Sequence, residues 1–240
     1  MNSESKNLLE DYIGVFRMMR RPSKFTAKTM TPAESVGYYL KASSVPAGLS
    51  MVFAVISFLI KGSSVRLGTL WPGSMIVPWL NGFGTAGTAV GIIISPALYF
   101  FIDVPLAMLF LAVLVYYPGK KLGLLKGKYS GSLSAMSYTA SVFVSLIWAL
   151  PFSVMVALVS HSSIIVYVVQ FLVVLLPLLA VLVGFYSYYV LIVALSKQNR
   201  TSASRAFFGT IVALILLVLI VGLASAVTGY LKFLALTKNM

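Results

Sequence analysis

Hydrophobic positions in this chain fall into long runs separated by short, mostly basic stretches. The runs cover roughly residues 33–60, 87–117, 133–159, 164–195 and 206–236. Each is longer than the ~18 apolar residues that mark a membrane-spanning helix. The pattern predicts an all-α fold: a polytopic membrane helical bundle of about five transmembrane helices, filling residues 33–240. Because a crossing needs only about 20 residues, tilted helices or protruding ends are expected. Ser130 and Ser132 before the third run, and Ser202 and Ser204 before the fifth, are the expected N-caps.

A different periodicity precedes the first run. Leu8, Leu9, Tyr12, Ile13, Phe16 and Met19 share one face of a helix over residues 5–21, with Glu10, Asp11, Arg17, Arg20 and Arg21 on the remainder. Pro22 ends it. Residues 1–32 therefore read as a cytoplasmic, amphipathic and basic segment. Its helix either lies in the membrane interface or packs beneath the bundle as a cap. Arg17, Arg20, Arg21, Lys24 and Lys28 would face the anionic headgroups of the inner leaflet. The segment has no hydrophobic core of its own, so no cleaved signal peptide is expected.

Composition agrees with the pattern. The 240 residues are 60% hydrophobic and only 10% charged. A soluble domain carries about 25% charged residues. The net charge of +13 would suit nucleic acid, but the cations sit between the apolar runs, where topology requires them, so no nucleic-acid partner is expected. The N-terminal segment (Lys6, Arg17, Arg20, Arg21, Lys24, Lys28), residues 120–128 (Lys120, Lys121, Lys126, Lys128) and residues 197–205 (Lys197, Arg200, Arg205) alternate with the rest along the crossings. They carry 13 cations against four on the other side, Lys61, Arg66, Lys232 and Lys238. That asymmetry predicts the N-terminus inside and the C-terminus outside. Residues 62–86, with Trp71, Pro72, Pro78 and Trp79, read as a connection resting at the outer interface or, alternatively, as a re-entrant loop.

Few residues within the runs are polar. Asp103 lies near the middle of the second. A carboxylate there costs on the order of 3 kcal/mol on insertion scales, so it must face the bundle or a wet cavity. It either binds an ion or relays a proton, or it pairs helices. Lys41, about 12 Å into the first run at 1.5 Å per residue, is its candidate partner, or it snorkels to the inner headgroups. Gln170, Tyr186, Tyr188 and Tyr189 either join Asp103 in a polar crevice or fill helix interfaces. Pro46, Pro96, Pro105, Pro151 and Pro177 interrupt four runs and can kink them. Gly87 with Gly91, Gly222 with Ala226 and Ser225 with Gly229 are small-residue pairs suited to close helix contact, within one chain or between copies, so a homo-oligomer is admitted.

Catalysis finds no support. The chain has no cysteine and one histidine, His161, so thiolate and histidine-built metal sites are excluded. No His-Glu-x-x-His, Gly-x-Ser-x-Gly or phosphate-binding glycine loop occurs. No cofactor is expected. Asn199-Arg200-Thr201 fits an N-glycosylation pattern but falls on the predicted inner side.

Three segments resemble the Yip1-domain family of five-helix integral membrane proteins. Residues 15–30, VFRMMRRPSKFTAKTM, resemble its opening. Residues 123–143, GLLKGKYSGSLSAMSYTASVF, resemble its basic loop into the third helix. Residues 185–210, FYSYYVLIVALSKQNRTSASRAFFGT, resemble its fourth-helix exit and fifth-helix start. The resemblance implies a non-enzymatic protein with a cytoplasmic N-terminus, which organises membrane or recruits partners. In eukaryotes it implies a small GTPase partner and the endoplasmic reticulum or Golgi membrane. This chain lacks that group's acidic-Leu-Tyr-Gly-Pro motif, reading Glu34-Ser-Val-Gly-Tyr-Tyr instead, and lacks its long N-terminal extension. The departures argue against a GTPase partner and favour a prokaryotic-type, multi-pass member of the cell membrane. Apart from the family, Asp103 and the prolines also suit a small ion or solute transporter or channel.

Overall fold

The structure is a computed structural model, which describes residues 8–26, 29–61, 94–147 and 163–237. Among these residues every regular element is a helix. Residues 62–86, His161, Pro151, Gly87, Gly91, Lys28 and the far half of the third apolar run lie outside the described residues, as does the side chain of Gln170.

The helices are α1 (Leu8–Arg20), the single turn α2 (Pro22–Phe25), α3 (Pro32–Lys61), α4 (Ile94–Lys121), α5 (Tyr129–Ile147), α6 (Ser163–Gln198) and α7 (Ala203–Thr237). Four of them contain stretches long and apolar enough to cross a membrane: Pro32–Ile56, Ile94–Lys121, Leu178–Gln198 and Ala203–Tyr230. Apolar side chains on their outer faces stay exposed. Phe185 is 70% exposed and Leu223 69%, a pattern that a hydrocarbon surrounding stabilises and water does not.

Local chemistry sets the helix ends. Thr31-Pro32-Ala33-Glu34 forms a capping box at the start of α3. The Thr31 backbone N–H donates to Glu34 Oε2 at 2.8 Å, and the Glu34 N–H donates to Thr31 Oγ1 at 3.2 Å. Proline at the first helical position forfeits no bond. Within α4, Tyr99–Asp103 is a π turn, closed by the Val104 N–H donating to the Tyr99 carbonyl. Pro105 accounts for it. Its ring would strike the Phe101 carbonyl and it has no N–H to offer, so the preceding turn widens.

The α5 helix is the hub, packing against α1, α3, α4 and α6, while α7 covers α4 and α6. Residues 131–138 of α5 are all buried, with Ser132, Ser134 and Ser137 among them. Lipid tails are as apolar as leucine, so such helices associate by close packing and by hydrogen bonds rather than by a hydrophobic drive. Serines suit both. Ser137 donates to the Ser35 carbonyl at 2.6 Å, and the Ser134 and Ser35 hydroxyls meet at 3.2 Å. The expected caps for this helix are corrected: α5 already begins at Tyr129, so Ser130 and Ser132 lie inside it. At α7, Ser202 does cap, accepting from the Arg205 N–H at 3.3 Å, and Ser204 lies within the helix.

Candidate functional site

One end of the bundle gathers three segments that are remote in sequence. The N-terminal segment reaches it through Thr26, whose carbonyl accepts a hydrogen bond from Gln198 Nε2. The 122–128 loop reaches it through Leu124, whose carbonyl accepts from the Thr201 hydroxyl at 2.9 Å. The α6–α7 turn reaches it through Asn199, fully buried, whose Nδ2 donates to the Leu195 carbonyl at 3.2 Å and to Ser132 Oγ at 3.4 Å. Glycine permits the contact. A Cβ on Gly127 would lie 2.6 Å from Asn199 Oδ1, and one on Gly131 would lie 3.1 Å from the Gln198 carbonyl oxygen.

These three segments and the helix ends beside them carry Arg17, Arg20, Arg21, Lys24, Lys120, Lys121, Lys126, Lys128, Lys197, Arg200 and Arg205. Every one is exposed, and among the described residues none is joined to a carboxylate. Lys120 donates to the Tyr116 hydroxyl at 2.9 Å. Buried Asn199, Gln198 and Thr26 thus form a polar knot beneath a basic outer surface.

The α1 helix lies across this end, against α3 and α5. Tyr12, Val15 and Met18 are its buried face, and the Met19 carbonyl accepts a hydrogen bond from the Tyr186 hydroxyl. The expected apolar stripe divides between the two sides of the helix. Val15 and Met18 face the bundle, while Ile13 and Phe16, assigned to the same stripe as Tyr12, stay about 40% exposed. Glu10, Arg17 and Arg20 point outward with them.

The intramembrane candidates separate. Asp103 is half-buried at the end of the π turn, which packs against α3, and Lys41 of α3 is exposed. Tyr189 is exposed and stacks at a tilt on Tyr186. No group of three or more metal-ligating side chains occurs among the described residues.

Tyr188 belongs to a different feature. Its hydroxyl lies 2.7 Å from Thr210 Oγ1, which itself donates to the Phe207 carbonyl at 2.7 Å, so Tyr188 is the donor of the pair. The two residues line a cavity of about 490 Å³, walled by α6 and α7 and closed beneath by Met136 and Thr139 of α5 and by Leu111 and Val115 of α4. The sequence holds no separate signal for this cavity. It arises where the α7 face bearing Phe207, Ile211 and Leu214 meets that of α6 bearing Tyr188 and Leu191.

Compared with models of known protein families, with curated proteins and with solved structures, the chain matches none.

Proposed function

We propose that this is a non-enzymatic integral membrane protein that organises membrane through its basic end. In this reading the bundle crosses the bilayer five times, with α5 as the crossing whose polar face is spent on its neighbours. The N-terminus lies inside, and α1 rests at the inner interface. The observation that carries the reading is the convergence of three separate chain segments into one surface of exposed cations. Each Lys or Arg held near an anionic leaflet contributes about 1 kcal/mol. Gathering many on a single rigid end concentrates anionic lipid beneath it, and partner proteins that read such lipid can follow. The resemblance to Yip1-domain proteins agrees with a scaffold of this kind, and the exposed small residues of α7, Gly222 and Gly229, leave a face for a second copy.

The test is lipid selectivity in reconstituted bilayers. Spin-labelled phosphatidylglycerol should be enriched several-fold over spin-labelled phosphatidylcholine in the motionally restricted shell, and high salt should erase the preference. Equal association of the two lipids at low salt contradicts the proposal.

A second reading, a small ion or solute transporter, draws on the π turn that ends at Asp103, because such turns recur at functional sites. Proton and cation flux into liposomes, with wild type and Asp103→Asn, separates the two. The scaffold reading expects no flux above empty liposomes. Flux abolished by the substitution makes Asp103 the working site.

A further inference from the structure

We infer that the cavity between α6 and α7 is a specific site for one anionic diacyl phospholipid, with an acyl chain in the groove and the headgroup phosphate at Arg200. The inference rests on the lipid-facing reading above and names one tight site within it.

The groove has the dimensions and chemistry for a chain. Its volume of about 490 Å³ is walled by Leu191, Phe207, Ile211, Leu214 and Leu217. The wall along α7, from Phe207 to Leu217, runs about 15 Å at 1.5 Å per residue, the length of a substantial part of an acyl chain. Leu214 is 57% exposed, so the groove opens sideways to the surroundings of the bundle. The only polar pair in the walls, Tyr188 with Thr210, is closed on itself and on the Phe207 carbonyl. Thr139 in the floor donates to the Ala135 carbonyl, so every hydroxyl proton of the lining is spent internally and the groove presents an apolar surface to a chain.

Arg200 fixes the other end. It lies in the turn joining α6 to α7, the two helices that wall the groove, and it is exposed. Its φ is +50°, and it is the only non-glycine residue with positive φ among the described residues. The turn around it is a helix C-terminal cap. The Thr201 N–H donates back to the Ser196 carbonyl at 3.0 Å, and the Arg200 N–H to the Lys197 carbonyl at 3.4 Å. That position favours glycine, which adopts positive φ without strain. An arginine held there points to a use for its guanidinium, which can grip a phosphate in two-pronged fashion. The start of α7 lies beside it and adds the positive end of a helix dipole. A zwitterionic lipid would bring its own cation against Arg200, so the site selects a net negative headgroup.

The experiment is native mass spectrometry of the full chain in detergent, titrated with dioleoyl phosphatidylglycerol or dioleoyl phosphatidylcholine. Wild type should retain a single phosphatidylglycerol at least ten-fold more tightly than phosphatidylcholine. Arg200→Gly, which relieves the backbone strain, should lose that retention while unfolding at an equal or higher temperature. Ile211→Trp, which fills the groove, should lose it as well. The salt-sensitive selectivity of the surrounding lipid shell should persist in both variants, because the other exposed cations remain. Equal retention of the two lipids by wild type overturns the site even where shell selectivity is present. So does wild-type retention in either variant, or a dimeric mass that Ile211→Trp disperses, which would make the occupant a second copy.

Discussion

The backbone N–H of Met30 donates to the side-chain hydroxyl of Ser134 at 3.0 Å, across 104 residues of chain. The same hydroxyl lies 3.2 Å from Ser35 Oγ and 2.8 Å from the Ser130 carbonyl. One buried serine on the central helix thereby joins the N-terminal segment, α3 and α5. A basic surface assembled from separate segments keeps its shape only if such joints hold.

Ser134→Ala leaves the Met30 N–H buried without its acceptor. An unsatisfied buried donor costs about 1–3 kcal/mol, and unfolding in detergent should shift by that amount. Ser130→Ala, at a half-buried position on the same helix, should stay within about 0.5 kcal/mol. Equal effects at the two positions would show that the joint contributes nothing.

Glycine at position 127 is a requirement of the same end. The added methyl of Gly127→Ala would lie 2.8 Å from Asn199 Cα, a backbone atom that cannot swing away. Overpacking of this kind costs about 1–3 kcal/mol. Gly37→Ala in α3 meets nothing within 4 Å and should be neutral, or stabilising by up to about 1 kcal/mol through helix propensity. Thermal unfolding of the pair in one detergent checks both signs.

How much of this was legible in the sequence differs by element. The spanning stretches of α3, α4, α6 and α7 follow from apolar runs long enough to leave no other reading, and the basic segments between them were visible as charge. The Thr31-x-x-Glu34 capping box also stands in the sequence as a Thr-Pro-Ala-Glu signature, two residues ahead of the apolar run that begins at Ala33. The burial of α1 was not legible to within one residue of register. Tyr12, Val15 and Met18 form as good a stripe as Tyr12, Ile13 and Phe16, and only α3 and α5 decide between them. The role of the α5 serines was likewise hidden, because hydroxyls read as a weakened span until partners such as Met30 and Ser35 are known. The depth of Asp103 is not legible from a linear count, because spacing alone fixes neither the far end of α4 at Lys121 nor the facing of each helix.

The contact between α1 and the bundle is the part of the account most open to local loosening. Tyr186→Phe removes the donor to the Met19 carbonyl and leaves the ring packing in place. Hydrogen exchange in α1 should quicken by about three- to ten-fold, the equivalent of roughly 1 kcal/mol, with α5 unchanged. An unchanged α1, or a uniform increase over the whole chain, would show that Tyr186 does not tether this helix.

The central claim is that the N-terminal segment, the 122–128 loop and the α6–α7 turn face one and the same leaflet, the inner one. The chain lacks cysteine, so single cysteines at Lys24, Lys126, Lys197 and Lys238 can be labelled with a membrane-impermeant maleimide in intact cells expressing the protein. The account predicts that Lys24→Cys, Lys126→Cys and Lys197→Cys react only after permeabilisation, and that Lys238→Cys reacts at once. Labelling of any of the first three from outside, or protection of Lys238→Cys along with them, contradicts it.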